Sequence, residues 1–505
     1  MCRGARGRSG FHRFFLERFA GCAVAAALAI AVPMLLAAGA EQVSDRVVLH
    51  LLNRLAFGPS LEEVRQVKNI GVERYIAEQL DPDPIPEPIE LRWRLAQLET
   101  LRLNPVQLRQ LYGPLRILRG FKPNPELEKA QRERVRIILR DASEARVLKA
   151  LLSPRQLQEV LVDFWFNHFN VFSGKGLDDV WIGNYEQQAI RPFVLGRFRD
   201  LLFATTKHPA MLVYLDNALS TAPGSPGARG RQKGLNENFA REVMELHTLG
   251  ADGGYTQEDV VTLARVLTGW GVNPPDARVF PGHAAVFEGA RHDYSPKVFL
   301  GRPLQSSGKG EGEEALDILA RSPATARHIG FELAQYFVAD EPPPGLVERL
   351  AARFVESDGN IREVLKTLFA SKEFWESKGA KYKTPYQFVI SAVRAAGTPV
   401  GNVRPLIGAM DQLGMPLFGC LTPDGYKNTE DAWLSPDATT RRISFATALV
   451  GANPKVAGAP RAVDAGRLEA IFGSSLSDAT RTAIKESPKG LHAALILGSP
   501  DFMRR

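Results

Sequence analysis

From residue 44 onward apolar positions recur at the spacing of an α-helix, closed at intervals by clear stop signals. Val47, Val48, Leu51, Leu52 and Leu55 form one such stripe, Gly58-Pro59 ends it, and Ser60-Leu61-Glu62-Glu63 is a capping box that opens the next helix. The punctuation continues down the chain. Ser153-Pro154 opens a helix through Phe169, and Ser322-Pro323 opens another. The segments 369–374 and 497–502 each join a helix end to a new cap, and capping chemistry explains that echo without a repeat of fixed period. The pattern therefore predicts a mainly α, multi-helical globular protein.

Three stretches interrupt the helices. Asp81 to Pro88 holds four prolines in eight residues, which predicts an extended linker (81–90) between an N-terminal helical segment (41–80) and a main helical domain (91–505). The alternative is a single domain over 41–505. Ser220 to Gly234, rich in glycine and carrying Arg229, Arg231 and Lys233, reads as a mobile basic loop. In residues 278–304 two short alternating runs, at Ala285-Val286-Phe287 and Val298-Phe299-Leu300, predict a small β-hairpin insertion.

At 505 residues, 45% hydrophobic and 24% charged, the composition excludes disorder, collagen-like repeats and a multi-span membrane protein. The first forty residues stand apart. Five arginines precede an apolar run from Cys22 to Leu36 and the small-residue stretch Ala38-Gly39-Ala40, the pattern of an export signal cleaved near Ala40. The alternative is an uncleaved N-terminal anchor, since Phe19 to Ala40 is about long enough to span a bilayer. Cleavage changes the charge argument. The leader carries +4 of the formal +7, leaving +3, so the basic footprint of a nucleic-acid-binding protein is largely lost, and no stable transmembrane segment remains. Of Cys2, Cys22 and Cys420 only the last survives, so no intramolecular disulfide forms.

The common catalytic motifs are absent. No histidine is followed by glutamate, no cysteine pair offers a zinc ribbon or c-type haem site, and no nucleophile elbow or nucleotide phosphate loop occurs. What remains is a set of polar residues in apolar surroundings. His168 lies on the core stripe Leu157, Leu161, Phe164, Trp165 and Phe169, with Asp163 and Asn167 at i and i+4 beside it. Asn236 through Gly250 is the densest segment. Glu237, Arg241 and Glu245 fall at i, i+4 and i+8 as an ion ladder, and Glu242 with Glu245 could supply paired carboxylates to acid/base work or to a divalent metal. Helical geometry puts His247 about 140° from Glu242 and about 160° from Glu245, so it cannot join them on one metal. Thr256 and Asp259 form a capping box, whereas His292 and Asp293 in the expected hairpin have no capping role. Asp216 and Asn217, with Asn236, Glu237, Asn238 and Arg241, flank the basic loop and would line a polar pocket lidded by it.

These segments also resemble a known family. Asp163 through Phe169, Asn236 through Gly250 and Asp252 through Asp259 carry the likeness to the bacterial domain of unknown function 1800. It begins at His50 through Pro59, includes Leu267-Thr268-Gly269-Trp270 and His292-Asp293, and reaches Gly498 through Phe502. The resemblance implies a large, mainly helical exported bacterial protein, often encoded beside a second exported family numbered 1501. It transfers no reaction and no catalytic residues. Two function classes follow: a helical binding or assembly protein of the cell envelope, its partner drawn from that second family; or a secreted or periplasmic enzyme using His168, Glu242, Glu245, His247, His292 and Asp293 in acid/base or metal-assisted chemistry. Convergence of His168, Glu242 and His292 in one concave pocket would favour the enzyme.

Overall fold

A computed structural model describes residues 44–114, 124–228, 234–273, 284–451 and 463–505. The helices that position the site are α1 (Asp45–Leu55), α2 (Leu61–Ile70), α3 (Pro125–Leu152), α4 (Gln156–His168), α5 (Glu237–Glu245), α6 (Gln257–Val266), α7 (Pro323–Phe337), α8 (Pro344–Glu356) and α9 (Pro385–Ala396). Local chemistry sets their ends. Ser60 accepts from the Glu63 amide while Glu63 accepts from the Ser60 amide, and Thr256 and Asp259 do the same for α6. Ser322 caps α7 through the Ala324 amide. The helix expected to open at Ser153-Pro154 begins two residues later, because Ser153 closes α3 and turns its hydroxyl to the Arg155 amide.

Packing is helix on helix. The long α3 lies against the helix Asp178–Tyr185, α7 against α8, and α8 against Ile361–Phe369. All twelve residues of α9 are buried, and α9 carries the core to α3 and to Arg404–Gln412. The proline-rich stretch is tied to this body. Arg155 donates to the carbonyls of Ile85 (2.7 Å) and Asp83 (3.2 Å), and Ser153 donates to Glu87. Asp45–Arg505 forms one compact unit.

The two alternating runs are strands, with different partners from those expected. Strand β1 (Trp270–Val272) pairs antiparallel with β2 (Ala285–Phe287), while β3 (Val298–Phe299) pairs with β4 (Arg302–Pro303). The run at 285–287 thus takes its hydrogen bonds from the segment after Gly269, whose φ of +84° turns the chain out of the preceding helix. The export signal with its cleavage near Ala40, and the basic residues Arg229, Arg231 and Lys233, lie outside the described residues. No described helix is long and apolar enough to cross a membrane.

Candidate functional site

Beneath the cleft runs a chain of buried charges. Arg146 of α3 places Nη2 2.7 Å from Asp163 and Nη1 3.6 Å from Glu186. Its guanidinium is stacked among the rings of Phe166, Tyr386 and Phe418 at 4.9 to 5.5 Å. Glu186 begins a single π turn and also meets Arg191, which grips Glu159 with two bonds of 2.6 and 2.9 Å. Burial would weaken the Arg146 charge, but Glu186 and Asp163 outweigh it and raise its pKa. Burial pushes the Asp163 carboxyl up against the pull of Arg146.

Asp163 opens from this network into a cleft of about 120 Å³ that it shares with Asn167, His168, Glu332, Asp424 and Lys427. The α4 spacing puts Asp163, Asn167 and His168 on that side together, and each then meets a distant segment. Asn167 clamps the backbone of Tyr426, donating to its carbonyl at 2.8 Å and accepting from its amide at 2.7 Å. Gly425 makes this approach possible: its φ is +68°, and a Cβ there would lie 2.3 Å from the Asn167 carbonyl oxygen. Gly425→Ala is expected to cost about 2 kcal/mol through strain and displacement of the clamp. Urea unfolding and protease cleavage within 420–428 check this; unchanged resistance in both contradicts it.

His168 is held at both nitrogens. Nδ1 lies 2.6 Å from Glu332 Oε2, and Nε2 donates to the His247 carbonyl at 3.2 Å. Burial would push the Glu332 carboxyl up; the His168 and His328 rings more than offset this and hold it below the usual carboxylate range. His328, one turn before Glu332, sits 3.6 Å from Oε1 and also meets the Leu246 carbonyl. This cluster joins α4, the end of α5 and α7.

The other sequence candidates do not join it. His247 is 1% exposed, its ring packs on Phe169 and beside His168, and its Nε2 has no partner. Burial, with the neighbouring His168 and His328, pushes that ring well below its ordinary pKa, so it stays neutral. Glu242 and Glu245 lie half-buried at the end of α5. Partial burial, with Glu245 and Asp424, pushes Glu242 up, and Glu245 accepts from the Tyr255 hydroxyl. His292 and Asp293 form a separate cluster. His292 Nδ1 sits 2.9 Å from the Thr268 carbonyl and Nε2 3.4 Å from Glu311, while Asp293 pairs with Arg265 at 2.8 Å and accepts from the Ser295 amide. These contacts tie the turn after β2 to α6, and His168 and His292 meet different partners.

The ion ladder also differs from expectation. Arg241 donates to Gln257, which donates to Glu237, so a neutral amide at the start of α6 stands between the two charges. Asn236 caps α5 and donates to the Leu215 carbonyl, Asn217 ties Leu267 to Trp270, Asp216 pairs with Lys175, and Asn238 is exposed. These contacts hold the base of the loop. The described part of the loop lies along the turn at 290–291, with Ala222 donating to the Arg291 carbonyl and Gly227 to that of Ala290. Among the described residues no three His, Cys, Asp or Glu side chains converge as a metal site.

Sequence reasoning missed Glu332, His328 and Arg146. A signal existed: His328, Glu332 and Gln335 place a polar stripe at i, i+4 and i+7 on an otherwise apolar α7. A groove of about 600 Å³ was also missed. It is lined by Glu62, Glu63, Glu90, Arg94, Arg394 and Arg467, paired as Arg467–Glu62 (2.7 Å), Arg394–Glu63 and Arg94–Glu90 (3.6 Å). Beside it, on the helix Ile89–Ala96, Ile89 and Trp93 are 77% and 65% exposed. Compared with known proteins, residues 50–504 match the family model described as protein of unknown function, DUF1800. No curated protein and no solved structure matches the chain.

Proposed function

We propose, from the premise that the chain belongs to the DUF1800 family and that this membership carries no reaction with it, that the protein is an exported helical binding or assembly component of the cell envelope. The observation that carries this reading is the pair Ile89 and Trp93, one turn apart, standing in solvent beside the groove that Glu62, Glu63 and Arg467 line. A tryptophan and an isoleucine exposed together on a short helix are a costly surface for a free protein and a common anchor for a partner. The groove's three Arg–Glu pairs supply a charged rim around that apolar anchor, which suits a folded protein partner. The partner we favour is an exported protein of the family numbered 1501. The arginine-rich leader and Ala38-Gly39-Ala40 support export; retention of that segment would anchor the same body at the membrane.

Titrating that partner into the chain by calorimetry tests the reading. Trp93→Ala is expected to weaken binding about 30-fold, the loss of one buried aromatic anchor, with no change in unfolding midpoint. No binding, or equal binding by the variant, contradicts it. A second reading, acid/base catalysis, is supported by one observation: the Glu332 carboxylate borders the polar cleft beside Asp424 and Lys427. In that case Glu332→Gln would abolish turnover of a small polar substrate.

A further inference from the structure

A second cavity, of about 410 Å³, lies where the C-terminal residues meet α1, and its charge is lopsided. Arg46, Lys378, Lys383, Arg504 and Arg505 line it, against Asp501 as the carboxylate side chain, and the His50 ring beside them is held neutral by burial. Several of these are spoken for: Arg504 pairs with Glu430, Arg505 donates to the Tyr336 carbonyl, and Asp501 accepts from Ser477 and Thr480. Lys383 is not. It is 2% exposed, its ammonium rests 3.8 Å from the centre of the Phe502 ring, and no hydrogen-bond acceptor or carboxylate of the described residues meets it. Behind it Arg442 donates Nη2 to the Lys383 carbonyl, and its Nε and Nη1 are buried without hydrogen-bond partners among the described residues.

A buried ammonium without a counter-charge is a costly state, and a second unpaired guanidinium behind it compounds the cost. An anion entering the cavity relieves both. A dianion balances this surplus better than a single carboxylate, and four apolar walls, Leu49, Phe472, Leu476 and Phe502, surround more space than a bare oxyanion fills. We propose that this cavity binds a phosphate-bearing ligand, its oxyanion against the Lys383 ammonium and Lys378 at the rim. Burial, with Arg505 and Arg442, pushes the Lys383 ammonium well below its ordinary pKa, and an anion beside it would draw that pKa back up. The proposal is independent of the partner surface at Trp93.

The test is ³¹P line broadening and thermal stabilisation of the full chain by inorganic phosphate and by phenyl phosphate, with ionic strength held constant by chloride. Saturable binding of either is expected. Lys383→Met, which keeps the stem and removes the charge, is expected to lower the affinity about tenfold or more, and the exposed Lys378→Ser about threefold. Tighter binding of phenyl phosphate identifies an ester as the ligand, and equal binding identifies the free ion. Absence of saturable binding overturns the site, as does binding by both variants at the wild-type level. Should Lys383→Met fail to fold, Lys378→Ser alone decides.

Discussion

Arg146→Met is expected to lower the unfolding free energy by about 3–5 kcal/mol, the cost of leaving buried carboxylates without their cation. Asp163 and Glu186 both face the vacated position, and the Phe166, Tyr386 and Phe418 rings lose the guanidinium they enclose. The mechanism is specific enough to be reversed. Adding Asp163→Asn and Glu186→Gln to Arg146→Met removes the unpaired charges, and most of the lost stability should return. Urea unfolding of the single and triple variants checks this. A single variant within about 1 kcal/mol of the wild type would mean that the network contributes little.

His208→Asn is expected to be the other large effect, and it depends on pH. The His208 Nδ1 accepts from the Ala210 amide as the cap of the helix Pro209–Tyr214, and Nε2 meets Asn184 Oδ1 at 3.0 Å. A nitrogen that accepts a backbone bond cannot take up a proton without breaking it. Burial accordingly pushes the imidazole down to about 3. The unfolded ring titrates near 6.5, so the stability owed to the neutral ring is whole above that pH and is lost as pH falls toward 3. Asparagine caps equally well and does not titrate. Relative to wild type, the variant should therefore gain about 1.4 kcal/mol per pH unit below 6.5, roughly 3 kcal/mol by pH 4. The comparison between variants is the readout, because burial pushes Asp178 up to about 9 and moves the absolute curve in the opposite sense. Parallel pH profiles would contradict the assignment.

The fold was legible because it is written locally. Ser60, Thr256 and Ser322 cap where their spacing says, and the apolar stripes of α1 and α4 are buried. The face of α4 was legible too, since Asp163, Asn167 and His168 do share a cleft. Their partners were not. Glu332, Arg146 and Tyr426 come from other segments, and no local pattern states which polar residue a folded chain will bring to His168. His292 misled for the converse reason: a polar pair outside a helix cap looked free, yet Arg265 holds Asp293 and the Thr268 carbonyl meets one ring nitrogen, while the other stands 3.4 Å from Glu311 with no hydrogen bond among the described residues. The strand pairing failed similarly, because β1 follows a helix end and has no alternation long enough to announce itself.

The central claim is that the His168 cluster locks three helices while recognition belongs to the surface around Trp93. Titrating the proposed partner, a protein of the family numbered 1501, into His168→Gln, alongside Trp93→Ala, tests that division most directly. His168→Gln should unfold at lower urea yet, while folded, bind within about threefold of wild type, whereas Trp93→Ala should keep its stability and lose affinity. A folded, fully stable His168→Gln that no longer binds, beside a Trp93→Ala that binds normally, would contradict the account and move the function into the cleft.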